Sequence, residues 1–136
     1  MSTAGYSGTP LSKKLGIKEG QLVLLLGKPT GYEASLGPLP AGVRFTHRAG
    51  STVDLAQVFV TLKEELAEQL SALRKKLKPD AVLWISWPKK ASKVPSTVTE
   101  DTIRELALPL GLVDVKVCAV SEVWSGLKLV VRKELR

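Results

Sequence analysis

The chain has one cysteine, one histidine and few aromatic residues, which make up 5% of its length. Cys118 has no second cysteine with which to form an intrachain disulfide, and with His47 it cannot supply the clustered ligands of a usual zinc site. We therefore expect no metal, and the lone thiol predicts a reducing compartment, the cytoplasm. No apolar run approaches the roughly 20 residues that a membrane-spanning helix needs, and Met1 to Pro10 contains no stretch typical of a signal peptide. These absences predict a protein that makes no use of a membrane.

Motifs of catalysis are also lacking. The sequence contains no Walker loop and no dinucleotide-binding fingerprint. In the sheet order implied by a resemblance described below, the segments of His47 and Cys118 lie at opposite edges, so a Cys–His dyad is not expected. We predict no catalytic residue, with Cys118 as a half-buried small hydrophobe and His47 at a strand end.

What the chain does have is the length of one domain, an apolar core and an excess of cations. Its 136 residues are 44% apolar and include 20 Lys and Arg against 13 Asp and Glu, which gives a formal charge of +7. Length and composition predict a single domain over residues 10–136 after a flexible tail at residues 1–9. The charge favours anionic partners, either a phosphate-bearing ligand or nucleic acid.

Short apolar runs alternate with helical patterns along the chain. The runs at 21–26 and 81–87 are continuous, as in strands buried on both faces, and further strands are predicted at 43–47, 56–60, 113–120 and 127–133. Leucines at helical spacing predict a helix over 62–77 that begins with a Thr61–Glu64 capping box, and a second helix is predicted over 99–108. The pattern predicts an α/β fold with helices on both faces of a mostly parallel sheet, strand order 2-1-3-4-6-5, and an antiparallel C-terminal hairpin. The predicted core positions are Val23, Leu25, Val58, Val60, Leu66, Leu70, Leu73, Leu83, Ile85, Ile103, Leu106, Val115, Val117 and Leu129.

Two sets of residues resemble known families. Leu77-Lys78-Pro79-Asp80 and the apolar strand that follows resemble the helix-to-strand turn of class I methyltransferases, and the later hairpin resembles the end of that superfamily's domain. The chain also resembles a small bacterial family of unknown function, through GYSGTPLSKKLGIK, WPKKASK and WSGLKLVVRKELR. The first resemblance implies a single Rossmann-like, methyltransferase-like domain, and the second implies no activity.

The methyltransferase resemblance departs from its pattern where the cofactor would bind. Members of that superfamily bind S-adenosylmethionine through an acid-x-Gly-x-Gly-x-Gly loop after the first strand. The matching positions here are Leu25, Gly27, Pro29 and Gly31, so the acid is apolar and the middle glycine is a proline without an N–H. A second acid usually ends the next strand, where this chain has Thr46-His47-Arg48. We therefore expect no cofactor and no binding of S-adenosylmethionine.

A basic rim is the clearest candidate site. Ligands of open α/β sheets bind outside the carboxyl ends of the parallel strands, and the segments expected there, 27–32, 47–51 and 88–93, contain no acid. We predict that they form an anion site whose cations are Lys28, Arg48, Lys89, Lys90 and Lys93. Ser92 would add a neutral donor, and Trp87 and Trp124 are candidates for stacking on a base. The alternatives are that the lysines only solvate a loop and that Trp124 packs across the hairpin.

Three functions stay open from the sequence. The favoured one is a non-catalytic Rossmann-like module that binds phosphate or nucleic acid at the carboxyl edge of its sheet. The second is a small enzyme with a nucleotide or phosphate substrate, such as a divergent methyltransferase. The third is a structural protein that forms a homodimer or docks another protein through an exposed edge or patch.

Overall fold

Six strands form one mixed sheet in the computed structural model, which describes residues 8–136. The strands are β1 (Leu22–Leu26), β2 (Arg44–Thr46), β3 (Leu55–Phe59), β4 (Val82–Pro88), β5 (Leu112–Ala119) and β6 (Trp124–Val131). The helices are α1 (Leu11–Leu15), α2 (Lys63–Lys76) and α3 (Glu100–Ala107), with short 3-10 turns at Tyr32–Leu36, Lys90–Ser92, Leu108–Leu110 and Lys133–Leu135. Residues 1–7 of the predicted tail lie outside the described residues.

The predicted sheet topology is confirmed. The strand order is β2-β1-β3-β4-β6-β5, in which β2, β1, β3 and β4 run parallel to one another. The hairpin of β5 and β6 joins the sheet through an antiparallel pairing of β6 with β4. The carboxyl ends of β1, β2, β3 and β4 therefore meet at one edge of the sheet, together with the start of β6.

The two faces of the sheet are covered by different elements. One face carries α2 and α3, whose Leu66, Leu70 and Ile103 are almost fully buried. The other face carries α1 and the 3-10 turn at Tyr32–Leu36, and Trp84 of β4 is fully buried there. Each face thus has its own apolar cluster, as the continuous apolar runs of the central strands predict.

The predicted core is correct except along β5 and at Leu106. Val115 and Val117 are 53% and 50% exposed, so their predicted burial is wrong. The pairing of β5 with β6 shifts between Asp114 and Lys116, which leaves Val115 as an extra residue in a β-bulge. Because an extra residue changes which side chains face the core, and because β5 is an edge strand, the alternation of valines does not mark a buried face. Leu106 is half-buried against the α2–α3 face.

The start of α2 also differs from its prediction. Leu62 is the N-cap, and no side chain of the helix caps its first turn. Instead, the Lys63 amide donates to Oγ1 of Thr97 at 2.7 Å, and the Thr97 amide donates to the Thr61 carbonyl at 2.9 Å. A hydroxyl from a distant loop therefore takes the place of the predicted capping box, and it ties the segment after β4 to the helix start.

No helix within residues 8–136 combines the length and the apolar character needed to cross a membrane.

Candidate anion site at the carboxyl edge of the sheet

Residues 89–93, which we call the lysine loop, follow the central strand β4. The Lys89 amide donates to the Val123 carbonyl at 2.7 Å, which joins the loop to the turn between β5 and β6. The loop then makes a 3-10 turn that ends at Lys93, whose φ of 62° lies in the left-handed region. The loop is thus anchored to the hairpin at Lys89 and folded by its own backbone hydrogen bonds, in which the Ser92 and Lys93 amides donate to the Lys89 and Lys90 carbonyls.

The cations of the lysine loop are not neutralised inside the protein. Lys90 and Lys93 are exposed and Lys89 is half-buried. None of the three makes an ion pair with an acid of residues 8–136. Three ammonium groups within five residues can attract an anion at this end of β4.

Ser92 shapes the loop. Its hydroxyl donates to the Lys89 carbonyl at 2.6 Å and accepts from the Val94 amide at 3.3 Å. The hydroxyl hydrogen is therefore engaged within the loop, so Ser92 does not offer it to a ligand in this conformation.

Lys28 lies at the end of β1 and has an acidic partner that the sequence prediction missed. It forms an ion pair with Glu33, one residue beyond the segment considered acid-free, and this hydrogen bond lowers the pKa of the Glu33 carboxyl. Lys28, Glu33 and His47 line a cavity of about 140 Å³, together with Phe45. This cavity is small and carries both signs of charge, so it adds little to an anion site.

Arg48 is exposed and follows β2, which is separated from β4 by β1 and β3. Three strand spacings of roughly 4.8 Å place the ends of β2 and β4 about 14 Å apart. The five predicted cations therefore form two groups along the edge, Lys28 with Arg48 and the lysine loop. Between them, Thr61 accepts hydrogen bonds from the loop after β4.

The two tryptophans differ in their surroundings. Trp87 is 8% exposed and belongs to the apolar cluster under α2 and α3. Stacking on a base needs an open ring face, which Trp87 does not offer in this structure. Trp124 is half-buried and packs edge-on against Phe59 with ring centroids 5.1 Å apart. This contact agrees with packing at the hairpin, and part of the indole is still open to solvent.

The loop after β1 uses its glycine for packing within the protein. Gly27 has a φ of 70°, and a Cβ at this position would lie 2.7 Å from the carbonyl oxygen of Phe59. The chain then enters the 3-10 turn, where the Tyr32 amide donates to the Pro29 carbonyl at 3.1 Å. The absence of a side chain at Gly27 therefore serves the contact between β1 and β3.

A buried polar network lies behind this edge, and the sequence analysis missed it. The Tyr32 hydroxyl donates to Oε1 of Gln57 at 2.7 Å, and Nε2 of Gln57 donates to Oγ of Ser86 at 3.0 Å. Gln57 and Ser86 are almost fully buried, and burial raises the pKa of the Tyr32 hydroxyl so that it stays a donor. The sequence does contain a signal for this network, because Gln57 and Ser86 are single polar residues inside two apolar strands.

Cys118 and His47 lie apart, as their strands predict. Cys118 is half-buried on the edge strand β5, and burial raises the pKa of its thiol. His47 follows β2 at the opposite edge. Residues 8–136 also contain no cluster of three metal-ligating side chains.

The chain matches one family of proteins over more than half of its length. A family described as "Protein of unknown function (DUF3052)" matches residues 49–133, which include the lysine loop and the whole hairpin of β5 and β6. The chain belongs to the DUF3052 family. No curated protein matches the chain.

Solved structures share the fold. The chain is similar to a SAM-dependent methyltransferase from Aquifex aeolicus, with a TM-score of 0.63, 20% identity, and coverage of 88% of this chain and 87% of that one. It is similar to a putative type 11 methyltransferase from Sulfolobus solfataricus, with a TM-score of 0.64, 14% identity and coverage of 90% of both chains. Fibrillarin from Aeropyrum pernix, solved with natively bound S-adenosyl-L-methionine, gives a TM-score of 0.57, 17% identity, and coverage of 84% of this chain and 68% of that one.

The family protein therefore has a Rossmann-like, methyltransferase-like fold, as the sequence resemblance implies. Identities at this level show the fold alone. The residues at the matching edge do not fit the cofactor of those enzymes, because Pro29 has no amide hydrogen to donate and Gly27 packs against Phe59. The end of β2 also offers His47 and Arg48 where a carboxylate would be needed.

Proposed function

We propose that this DUF3052 protein is a non-catalytic binding module that holds a phosphate-bearing ligand at the carboxyl edge of its sheet. The lysine loop supplies the main contacts, and Arg48 extends the site for a longer anion. Lysine binds phosphate as a mobile point charge and needs no rigid geometry.

One observation carries this proposal. Lys89, Lys90 and Lys93 project from a loop held by backbone hydrogen bonds, directly after a central strand, without an acidic partner in residues 8–136. A single exposed lysine would bind an anion only weakly, because salt screens its charge. Several cations on one edge bind a polyanion through summed charge and counterion release.

The experiment is a fluorescence titration with single-stranded RNA, single-stranded DNA and polyphosphate at two salt concentrations. The variant Lys89→Ala/Lys90→Ala/Lys93→Ala should fold normally and lose most of its affinity for polyphosphate. For single strands, each phosphate contact contributes about 0.7 to the slope of log K against log salt, so the slope should fall by about 2.

A matched control separates this site from net charge. Lys75, Lys76 and Lys133 are exposed lysines that make no ion pair within residues 8–136, and replacing all three with alanine removes the same charge from other places. This variant should retain the affinity of the wild type. The proposal fails if the wild type binds none of the three ligands at low salt, or if both triple variants bind equally well.

A divergent methyltransferase is the second candidate, and the shared fold favours it. We expect no binding of S-adenosylmethionine tighter than about 10 μM, which corresponds to roughly 7 kcal/mol. Isothermal titration calorimetry tests this directly. Tighter binding would show that the cofactor fits in spite of Pro29, and would favour the enzyme.

A further inference from the structure

A like-charge pair crosses the C-terminal hairpin. Lys116 of β5 is directly opposite Lys128 of β6 in the antiparallel register. Directly opposite residues point to the same face with Cβ atoms roughly 5 Å apart, and like charges at such positions destabilise a sheet. This pair therefore disfavours folding of the isolated protein.

A third lysine adjoins the pair on the same face of the sheet. Lys128 is also opposite Trp84 of β4, and the Trp84 indole N–H donates to the Leu15 carbonyl of α1 at 2.9 Å. Lys116 and Lys128 thus point toward the α1 side. Lys14 of α1 donates from Nζ to the Ala119 carbonyl of β5 at 3.0 Å, and its own carbonyl lies 3.5 Å from Nζ of Lys116.

We call Lys14, Lys116 and Lys128 the lysine face. None of them makes an ion pair with an acid in the part of the chain that the structure describes. Acidic residues instead fill the first turns of α2 and α3, which pack on the other side of the sheet. Lys14, Lys116 and Lys128 thus lie together on the α1 side of the sheet, where none of them has an acidic partner among residues 8–136.

We propose that the lysine face binds the phosphate backbone of a nucleic acid. The surface is a second site, separate from the lysine loop, and it does not depend on the function proposed above. Phosphates would neutralise the pair of Lys116 and Lys128, which has no acidic partner within residues 8–136.

The composition of this face favours a nucleic-acid backbone over an acidic protein. A nucleic-acid strand carries a charge at every residue, so it can contact neighbouring lysines in any register. Among the half-exposed residues of the hairpin on this face, Val113 and Val130 are opposite each other and offer no group to read a base edge. Contacts to phosphate alone carry no sequence information, so binding should be independent of base sequence and steeply dependent on salt.

The test is a titration of a 20-base-pair DNA duplex from 50 to 200 mM salt. Each phosphate contact to a duplex contributes about 0.9 to the slope of log K against log salt, so three lysines account for a slope of about 2.7 and an affinity loss of about 40-fold over this range. The variant Lys116→Gln/Lys128→Gln should lower the slope by about 1.8. It should also raise the melting temperature, because the like-charge pair is removed.

The control Lys75→Gln/Lys76→Gln removes the same charge from exposed positions at the end of α2 and should leave the slope unchanged. The proposal is overturned if the duplex does not bind at 50 mM salt, or if the slopes of the two double variants agree. It is also overturned if polyglutamate of equal charge competes as strongly as unlabelled duplex, which would favour an acidic protein. Polyphosphate binding by the lysine-loop variant reports separately on the function proposed above.

Discussion

The network of Tyr32, Gln57 and Ser86 offers a quantitative test of how the structure is held behind its carboxyl edge. All three side chains are buried, with exposures of 6%, 1% and 0%. The perturbation is a set of three variants: Tyr32→Phe, Gln57→Leu, and the triple change that adds Ser86→Ala to both. Each step changes hydrogen bonding while keeping a side chain of similar size or smaller.

The expected magnitudes follow from which groups lose their partners. Tyr32→Phe leaves Oε1 of Gln57 without the donor seen at 2.7 Å, and a buried unpaired group costs about 1–3 kcal/mol. Gln57→Leu leaves two hydroxyl groups without their partner and should cost about twice as much. The triple variant removes every polar group of the network, so it should be more stable than Gln57→Leu alone.

Urea unfolding followed by tryptophan fluorescence measures these differences, because Trp84 is fully buried in the same apolar cluster as Tyr32. For a chain of this size, each kcal/mol corresponds to about 3–5 °C in melting temperature, so thermal unfolding gives a second reading. The reasoning is refuted if Tyr32→Phe differs from the wild type by less than about 0.5 kcal/mol, the size of an ordinary surface effect. It is refuted equally if the triple variant is less stable than Gln57→Leu.

Two further predictions concern the strand ends. Gly27→Ala should destabilise the protein by about 2–4 kcal/mol, combining a left-handed φ with a clash against the Phe59 carbonyl. Gly31 has a similar φ of 74° but open space around it, so Gly31→Ala should lower the free energy of unfolding by only about 1–2 kcal/mol. Urea unfolding measures both variants, and equal losses of stability would contradict the clash at Gly27. Asp54 accepts from Lys78 and from the Leu22 amide, which lowers the pKa of its carboxyl below its ordinary value of 3.8. The stability it contributes is present above pH 3.8 and lost as the pH falls through the lowered pKa. Asp54→Asn should therefore be less stable at pH 7 and lose less stability between pH 5 and 2, whereas the exposed control Glu68→Gln should follow the wild type in melts across this range.

The strands and their relative directions could be predicted because that information is local. Two continuous apolar runs mark β1 and β4 as strands buried on both faces, and the leucine stripe of α2 marks the connection between β3 and β4. A helix between two strands implies a parallel crossover, and a short turn between β5 and β6 implies an antiparallel pair. These rules give the relative directions of connected strands, and the resemblance to class I methyltransferases implies the remaining neighbours, such as the pairing of β4 with β6.

The predictions that were wrong concern local structure that depends on a residue distant in the sequence. The bulge at Val115 depends on the register with β6, and one inserted residue is enough to expose Val115 and Val117. The cap of α2 comes from Thr97, 34 residues away from Lys63 along the chain. Neither interaction leaves a periodic signal in the sequence.

The candidate site was predictable in its placement but not in its charge balance. Position after β4 puts the lysine loop at the carboxyl edge, and that follows from topology alone. The pairing of Lys28 with Glu33 depends on the tight turn that replaces a longer helix after β1. Trp87 is buried because successive strand residues alternate between faces, which places it with α2 and α3.

The two lysine groups differ in what their neutralisation should do to the folded protein. The cations of the lysine loop project separately from a turn, so removing them should leave stability nearly unchanged, as for ordinary surface substitutions. Lys116 and Lys128 oppose each other across the hairpin, so removing either should stabilise it. A local arrangement that disfavours folding is expected chiefly at functional positions. A gain in stability together with a loss of duplex affinity would therefore distinguish a binding surface from a solvated one.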